Sequence, residues 1–506
     1  MKHRLPLAAG TLAAALALAL SGCSAGTGVD VSSSGESILR AAIAGEPDQL
    51  DPQKTSSYFS FEVLENVFDT LVEPDENLEM QPALATSWDL SDDQLVWTFH
   101  LREGVTFQDG TPFTADDVVY SYDRIIDEEL TNSWRFSTVT AVTAVDDSTV
   151  TITVSAPTPN LLSSIGGFKG MAIVEKANVD SGEIATNPIG TGPFAFSSYT
   201  PGDSITLTAN PDYWGGAPAI DEIDYTFVSE GSTAIASLKA GEIDWTDSIP
   251  VEQLEDLSSD DTLTVGTTPS NDYWYLAMNE NRAPYDDVRV RQAIAYAIDR
   301  DAIAQVAGYG TATVNELAIP TGSTWYTAYD TYSTDLDKAK SLLAEAGVGD
   351  FTMDLLVSSD YPETVSAAQL IADELEPLGI TVEIRTLDFA SWLDEQNSGD
   401  FDMLMMGWLG NIDPDDFYYA QHHTDGASNA QGYSNPEVDE LLDAGRTETD
   451  VEARKQIYAQ AATMIADDVS YIYLYNPSVI QAYSSTLTGY VVRADRAVRF
   501  RDASLD

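Results

Sequence analysis

The stretch Leu84–Arg124, LATSWDLSDDQLVWTFHLREGVTFQDGTPFTADDVVYSYDR, predicts a strand, a tight turn and a helix in close succession. Apolar and polar residues alternate from Leu95 to Leu101, which is the two-residue period of a half-buried strand. Asp109-Gly110 is a turn pair, because Gly accepts the positive φ of tight turns. Thr114 then predicts a hydroxyl cap, with acids in the first helical turn. The buried stripe of this helix is predicted to be Val118, Tyr122 and Ile125.

This order of parts resembles the signature of the extracellular solute-binding proteins of ABC importers, family 5, the peptide, nickel and opine binders. The pattern W-x-L-S-x-D-x-x-x-W-T-F-x-L-R-x-G-V-x-F-x-D-G-x-P-F-T-A-x-D-V is matched with few departures. Further similar segments are Asn187–Phe194, Ala236–Asp244 and Val288–Ala307. The resemblance implies an α/β, periplasmic-binding-protein-like fold of class II (venus-flytrap), with two lobes plus an extra domain in the N-terminal lobe.

The resemblance also implies a division of the chain. Domain I, the first lobe, is expected to hold residues 38–60, 186–266 and 478–506. Domain II, an insertion typical of the family, is expected at 61–185, and domain III, the second lobe, at 267–477. Alternating strands and helices in these segments suggest right-handed βαβ units and mixed sheets.

The N-terminus predicts a processed segment over residues 1–23. Basic residues at the start precede an apolar run, Leu5–Leu20, which is short for a membrane span and typical of a signal peptide. Leu20-Ser21-Gly22-Cys23 resembles a bacterial lipobox, and Cys23 is the one cysteine of the chain. We therefore expect lipidation at Cys23 and a flexible, polar tether over residues 24–37. An ordinary signal peptide with an incidental Cys is the alternative.

Composition restricts the class of protein. The chain is 43% hydrophobic and 10% aromatic, which favours a globular protein. Its net charge of −58 argues against nucleic acid and anionic lipid head groups as partners. Acidic runs are more typical of a strongly solvated, salt-adapted surface than of cation sites.

Enzyme motifs do not stand out in the sequence. It contains no G-x-S-x-G elbow, H-E-x-x-H helix or Walker loop. His100 is expected to be structural, and His422-His423 is expected in a solvated loop rather than at a metal. We therefore predict no enzymatic activity, no cofactor and no metal site.

The remaining segments give predictions for several helices. An amphipathic helix is expected over Phe61–Leu71, and another over Thr233–Ala240 that ends at Gly241. Within Val288–Ala307, Asp301 is expected to cap a further turn. Two more helices are predicted over Asp335–Ala346 and Glu363–Leu378, the second leading through Gly379 into a strand from Ile380.

The ligand site is predicted where an apolar strand breaks into a Gly-rich loop around Trp408. Strand ends facing a cleft are common places for ligand contacts in α/β proteins. Core packing is the ordinary role of most aromatic residues and is the competing interpretation. The candidate ligand-binding residues are Trp408, Asn411, Asp413, Tyr58, Tyr273, Trp274, Asn279 and Trp325.

The sequence departs from the peptide-binding members at this loop. The resemblance places a ligand-binding aspartate where this chain has Asn411, with Asp413 as a possible substitute two residues on. The segment around Val365–Ala368 also lacks the arginine that dipeptide binders carry. These differences argue against a strict dipeptide ligand, so longer peptides are favoured, while oligosaccharides, opine-like solutes and nickel chelates stay open.

The resemblance implies a mechanism and partners. Solute would bind between domains I and III, stabilise the closed form and be delivered to ABC permease subunits with cytoplasmic ATPases. The protein is expected to be a monomer, lipid-anchored at Cys23 outside the cytoplasm. A signalling receptor and a surface chaperone or adhesin are the rival classes.

Overall fold

A computed structural model describes residues 37–167, 169–409 and 412–506, and Ser37–Asp506 forms one compact unit. Cys23 and residues 24–36 of the predicted tether lie outside the described residues. Within the described ranges, no helix has the length and apolar character needed to cross a membrane.

Strands and helices alternate along the described chain. The strands are β1 (Ile38–Ile43), β2 (Val72–Pro74), β3 (Met80–Pro82), β4 (Ala85–Leu90), β5 (Val96–Leu101), β6 (Val139–Asp146), β7 (Thr149–Val154), β8 (Phe194–Thr200), β9 (Ser204–Ala209), β10 (Glu222–Phe227), β11 (Trp245–Thr246), β12 (Leu263–Pro269), β13 (Tyr273–Met278), β14 (Thr313–Val314), β15 (Phe351–Ser358), β16 (Ile380–Leu387), β17 (Met403–Trp408), β18 (Tyr471–Asn476), β19 (Ser478–Ser484), β20 (Leu487–Thr488) and β21 (Ser504–Leu505). The helices are α1 (Tyr58–Leu64), α2 (Ala115–Asp127), α3 (Leu161–Gly166), α4 (Lys176–Asp180), α5 (Gly231–Ala240), α6 (Leu254–Ser258), α7 (Val288–Ala297), α8 (Arg300–Ala307), α9 (Leu336–Ala346), α10 (Pro362–Leu375), α11 (Phe389–Ser398), α12 (Pro414–His422), α13 (Pro436–Gly445) and α14 (Val451–Asp467).

The stretch Leu84–Arg124 folds as its pattern predicts. Every second side chain of β5 is buried, and Gly110 has a φ of +91° in the turn that follows. At the start of α2, the Thr114 N–H donates to Asp117 Oδ2 at 2.8 Å, which is one half of a capping box. The buried residues of α2 include Val118, Tyr122 and Ile125.

The predicted helix over Phe61–Leu71 is wrong in both bounds, because the helix is α1, Tyr58–Leu64. The chain turns at Asn66, whose side-chain amide donates to the carbonyl of Glu62 at 3.1 Å and to that of Val498 at 2.9 Å. Hydrogen bonds from the buried Asn66 side chain to backbone carbonyls hold the chain in a turn, and they compete with a further turn of helix.

Two other helix predictions need correction. The segment Val288–Ala307 is two helices, α7 and α8, and the cap of α8 is Asp299, whose carboxylate accepts the Ala302 N–H at 3.0 Å, rather than Asp301. Helix α10 ends at Leu375, and the residues up to Leu378 form a 3-10 turn that contains Pro377. Pro377 has no N–H to donate to the carbonyl four residues back, and its ring clashes with that carbonyl, which explains the earlier end of the α-helix.

The first large sheet has seven strands in the order β12-β19-β11-β1-β10-β9-β8. Strand β1 lies in the middle and pairs in parallel with β10 and β11, while the other pairs are antiparallel. One face of the sheet is covered by a buried apolar cluster that includes Tyr225, Trp245 and Phe500. Strand β19 brings the C-terminal part of the chain into this sheet.

The second large sheet has six strands in the order β14-β18-β13-β17-β15-β16. Strands β15 and β16 are parallel and are joined by α10, which is the predicted strand–helix–strand succession. Strands β13 and β18 are buried along their whole length. This is the environment of a central strand covered on both faces.

A third sheet, in the order β4-β5-β7-β6, is antiparallel and lies within residues 61–185. It has its own buried apolar cluster, which α2 also joins. The three sheets lie in the three predicted segments, except that β12 extends three residues past 266. The exact domain boundaries stay a prediction.

The chain passes between the two large sheets at two adjacent places, residues 270–272 and Pro477. The Ser270 N–H donates to the Pro477 carbonyl at 2.9 Å, so the crossings lie side by side. The buried Asn476 amide donates to the carbonyl of Asp272 at 2.9 Å. Two short neighbouring connections are the geometry about which two lobes can rotate.

The Pro/Gly-rich segment before β8 packs directly on the turn after α1. A Cβ on Gly190 would lie 2.0 Å from the Val67 carbonyl oxygen, so only glycine fits there. The Gly192 N–H donates to the same carbonyl at 2.9 Å. These glycines serve a close backbone contact where the chain returns from the third sheet to the first.

Candidate ligand-binding cleft

A cleft of about 750 Å³ lies between the first sheet, the third-sheet region and the second sheet. Its wall on the first-sheet side includes Tyr58 and Arg496, and its wall on the second-sheet side includes Trp408. The other lining residues are Ser56, Phe61, Asn132, Trp134, Arg135, Gly167, Asn271, Asp272, Tyr275, Tyr361, Phe389, Trp392, Leu393, Gln396, Met406, Gly407, Leu409, Ile412, Ala494 and Asp495.

The cleft is lined by apolar side chains that are open to solvent. Trp134 is 56% exposed and Leu409 is 74% exposed, and Phe389 and Leu393 are also exposed. The Phe389 ring stacks on the buried Trp392 ring at 6.0 Å. Large apolar side chains grouped on an open concave surface are typical of a binding site.

Trp408 ends β17 and lies half-buried in the cleft wall, as the sequence placed it. Its Cα faces that of Tyr273 in β13, which fixes the strand end from which the indole projects. Tyr58 also lies in the wall, and its hydroxyl donates to the Arg496 carbonyl at 3.2 Å. The structure therefore brings two of the predicted residues together at one cleft.

A charged pair connects the cleft to the crossings. Arg496 donates from Nε to Asp272 Oδ2 at 2.8 Å, and Nη2 lies 2.7 Å from the same oxygen. Asp272 belongs to one crossing, and both residues line the cleft. Burial would lower the pKa of Arg496, but Asp272 and its other neighbours raise that pKa, so the guanidinium stays charged.

Two of the predicted aromatic residues support the wall from behind. Tyr273 is 1% exposed and lies in the second-sheet core, so it does not reach the cleft. Trp274 is 9% exposed and packs its ring over Gly407, where an added Cβ would lie 2.9 Å from the indole. Gly407 thus allows Trp274 to lie flat beneath the strand that carries Trp408.

Asn279 and Trp325 also lie away from the cleft lining. The Asn279 amide donates to the Gly399 carbonyl at 3.0 Å, so this buried residue ties β13 to the loop before β17. The Trp325 ring lies 5.2 Å from the Arg454 guanidinium, in a cation–π contact. Both residues contribute to the framework of the second-sheet region.

Asp413 is held by the framework rather than directed at the cleft. It caps α12 by accepting the Asp415 N–H at 3.0 Å, and it receives both ends of the Arg454 guanidinium at 2.6 and 2.7 Å. Asp413 is 5% exposed and is not among the residues that line the cleft. The structure thus places it away from the ammonium-binding position considered from sequence. Asn411 lies outside the described residues.

The expectation of a solvated loop at His422-His423 is wrong. His422 ends α12 in the core, where its ring is hydrogen-bonded to Ser470 Oγ at 2.9 Å and to Tyr473 OH at 2.8 Å. Burial lowers the pKa of His422 to about 3, so it is neutral at physiological pH. The described residues contain no group of His, Cys, Asp and Glu side chains arranged to hold a metal ion.

Sequence reasoning missed the part of the cleft formed by residues 132–135. Asn132 and Arg135 are buried and line the cleft, and Trp134 projects into it. This segment follows α2 and has no motif that marks it. The chain has only 24 Lys and Arg residues, so an adjacent Trp and Arg stand out in the sequence. This pair is the sequence signal that could have identified the segment.

The chain is similar in sequence to a known family of binding proteins. The sequence profile described as "Bacterial extracellular solute-binding proteins, family 5 Middle" matches residues 79–429. The chain belongs to this family. It is therefore a substrate-binding protein of the ABC-importer type and not an enzyme, and the family acts outside the cytoplasm.

Several relatives match the chain over most of its length. The glutathione-binding protein GsiB of Pectobacterium atrosepticum is 30% identical over 92% of this chain and 93% of its own. The heme-binding protein A of Haemophilus influenzae is 31% identical over 84% of each. The ligands in the names of these two relatives differ, so the family alone does not identify the ligand.

A solved structure confirms the fold class. The periplasmic binding protein DppA of Helicobacter pylori, in complex with the peptide STSA, superposes with a TM-score of 0.77 and is 27% identical, covering 92% of this chain and 98% of its own. The predicted two-lobed, class II α/β architecture is the fold of these solute-binding proteins.

Proposed function

We propose that the chain captures a peptide longer than a dipeptide in the cleft and delivers it to ABC permease subunits. The observation that carries the proposal is the cleft of about 750 Å³, lined by exposed apolar side chains, between two sheets joined by two adjacent crossings. Its volume is in the range of sites that enclose small ligands. Similarity to a peptide-bound binding protein supports the peptide class.

Closure about the crossings supplies the mechanism. The pair Asp272–Arg496 joins one crossing to the cleft wall, so a ligand against Arg496 bears on the connection between the lobes. A ligand that touches both walls stabilises the closed arrangement by its differential affinity for it. The protein performs this step without making or breaking covalent bonds.

The location belongs to the same proposal. Lipid at Cys23 would hold the protein at the outer face of the membrane through the segment 24–37, with the monomer as the working unit. Metabolic labelling with a palmitate analogue should mark the full chain and leave Cys23→Ser unlabelled. An unlabelled parent chain would contradict anchoring while leaving peptide capture intact.

Small-angle scattering combined with thermal shift tests the capture itself. The panel would contain tetra- to hexapeptides, oligosaccharides, opines and nickel chelates. We expect a peptide to raise the melting temperature and to reduce the radius of gyration. Stabilisation by another class of solute would replace the peptide assignment. Peptide binding with an unchanged radius of gyration would contradict closure and favour a surface chaperone.

A further inference from the structure

The region of the third sheet is fixed to the lobe that is built on the first sheet. Arg124 of α2 forms an ion pair with Asp51, which precedes α1, at 2.6 Å, and both side chains are 2% exposed. The Gln108 amide donates to the carbonyl of Phe194 in β8 at 2.8 Å. Val174 belongs to the buried apolar cluster of the first sheet. The third-sheet region therefore moves with this first lobe when the lobes rotate about the crossings.

The same region touches the other lobe, which is built on the second sheet, at Gly167. This glycine ends α3, and the Ile412 side chain packs directly on it. A Cβ added to Gly167 would lie 2.9 Å from Ile412 Cδ1 and 3.6 Å from Ile412 Cγ1. Such a close approach leaves no space for water between the two residues. Both residues line the cleft, so the contact joins its two walls directly.

A pair of opposite charges crosses the same boundary. Arg135 of the third-sheet region is 9% exposed, and Asp416 lies in the first turn of α12. Burial lowers the pKa of Arg135, and the charge of Asp416 acts to raise it. Burial raises the pKa of Asp416 to about 7, and the charge of Arg135 acts to lower it. Each group thus offsets part of the burial of the other.

The two sides of this boundary are held in place within their own lobes. Phe136, next to Arg135, packs on Tyr122 of α2 with ring centroids 5.0 Å apart. On the other side, Asp413 caps α12 and is paired with the buried Arg454 at 2.6 Å. Ile412 and Asp416 lie on either side of this cap, and Asp416 is also influenced by Asp413, Asp415 and Arg454 of its own lobe.

Both contacts depend on the position of the lobes. When the third-sheet region moves away from α12, Ile412 loses its packing on Gly167 and the Arg135 guanidinium regains water. Opposite charges that are buried together stabilise an arrangement only while both are present. The contacts are made by protein groups alone, so they act whether or not a solute lies in the cleft.

We propose that Arg135 and Gly167 on one side, and Ile412 and Asp416 on the other, form an interlobe clamp that favours the closed form before a solute is bound. The clamp gives the third-sheet region the role of a brace between the lobes. It rests on the proposed rotation about the crossings and is independent of which solute is captured. By raising the closed fraction of the free protein, the clamp strengthens the binding of any solute that closure encloses.

Hydrogen exchange of the ligand-free full chain tests the clamp, at about pH 8, where Asp416 is mostly ionised. The variant is Asp416→Asn, which keeps the shape of the side chain and removes the charge that faces Arg135. Asp416 lies outside the cleft lining among the described residues. The control is Asp443→Asn, an exposed position of α13 in the same lobe.

We expect Asp416→Asn to speed exchange about three- to tenfold in residues 132–137 and 161–167, which lie in the opposite lobe. The ligand-free radius of gyration should increase in small-angle scattering, while Asp443→Asn should match the parent chain in both measurements. Ile412→Ala keeps every charge and should speed exchange at residues 161–167 as well. It supplies the same readout if Asp416→Asn proves unstable.

A charge exchange separates the clamp from a local effect on α12. Arg135→Glu alone should open the ligand-free chain, because two acids would then face each other. Combining it with Asp416→Arg should restore slow exchange and the smaller radius of gyration. A merely structural role for either residue gives no such rescue.

Faster exchange confined to α12 in Asp416→Asn, or a double variant that stays as open as Arg135→Glu, would overturn the clamp. These measurements use no ligand, so they do not depend on peptide capture. A peptide that raises the melting temperature and reduces the radius of gyration of the parent chain would support capture even if the clamp fails.

Discussion

Asp413 shows how a charged residue beside a ligand loop can belong to the framework. Its carboxylate receives two hydrogen bonds from Arg454, and the side chains of both residues are almost fully buried. The attraction offsets the cost of removing two charges from water only while both are present. The pair therefore fixes α12 against α14 rather than waiting for a ligand.

Asp413→Asn should accordingly lower the free energy of unfolding by roughly 3–5 kcal/mol, because it leaves Arg454 charged and buried. Urea unfolding measures this change. Glu452→Gln is the control, since Glu452 contacts Lys455 at 3.1 Å on the surface and should have little effect. Unchanged stability with lost ligand affinity in Asp413→Asn would reinstate Asp413 as a ligand contact.

Trp408→Ala should weaken ligand binding at least about tenfold, because the indole is a half-buried part of the cleft wall. The melting temperature should fall by no more than a few degrees. Calorimetry with a peptide ligand gives the affinity. Trp88→Ala is the matched control, since Trp88 is half-buried in β4 and lies outside the cleft lining. A Trp408→Ala protein that unfolds would identify Trp408 as core.

Individual residues were the hardest part to predict from sequence. Trp408 could be assigned to the cleft because the sequence shows an apolar strand that breaks into a Gly-rich loop, and ligand contacts are common at the ends of strands. The positions of Asn279 and Trp325 could not be predicted, because the local sequence does not show which face of an element packs against the core. His422 was misread because burial of a polar ring depends on Ser470 and Tyr473, which are distant in sequence.

Elements with strong local signals followed the sequence closely. The capping box of α2 and the left-handed Gly241 at the end of α5 lie where the patterns predict them. The bounds that failed, at α1 and α10, are set by a tertiary hydrogen bond of Asn66 and by Pro377 within the last predicted turn. Tertiary contacts override periodicity at helix ends more than in helix centres.

The Pro/Gly-rich segment before β8 gives a prediction about stability. Gly190→Ala should destabilise the protein by about 1–3 kcal/mol, since the new Cβ would meet the Val67 carbonyl oxygen at 2.0 Å and push the two segments apart. Thermal unfolding measures the loss. Gly349→Ala is the control, because an added Cβ there has nothing within 4 Å. Equal melting temperatures for the two variants would refute the close contact.

The pH dependence of the whole molecule follows from buried carboxyls. Burial raises the pKa of Glu280, Glu374 and Asp416 to about 7 and that of Asp415 to about 6. The folded protein therefore holds protons that the unfolded chain, with ordinary pKa values near 4, releases. Stability from these groups is complete below pH about 4 and is lost as the pH rises through about 7.

We therefore expect the melting temperature to fall between pH 5 and pH 8. Glu374→Gln should make that fall smaller, because it removes one titrating group. The Gln side chain keeps an oxygen that can accept the Asp299 N–H, which lies 3.1 Å from Glu374 Oε2 in the parent chain. Scanning calorimetry across the pH range tests both points. A melting temperature that rises over this range would contradict the direction of the pKa shifts.

The net charge of −58 predicts a dependence on salt. Like charges on a compact body repel, and the screening length shrinks from about 10 Å at 0.1 M salt to about 3 Å at 1 M. The free energy of unfolding in urea should therefore increase with NaCl, and equally with KCl. Equal stability at low and high ionic strength would show that the acidic surface imposes no net cost.

The place of β19 in the first sheet has a consequence for biosynthesis. This strand, Ser478–Ser484, lies between β12 and β11, so the sheet that begins at Ile38 stays incomplete until the ribosome has made almost the entire polypeptide. A nascent chain with an unfinished sheet cannot close its first lobe early. The family acts outside the cytoplasm. This order of assembly keeps the first sheet unfolded, and the chain competent for export, until synthesis is nearly over.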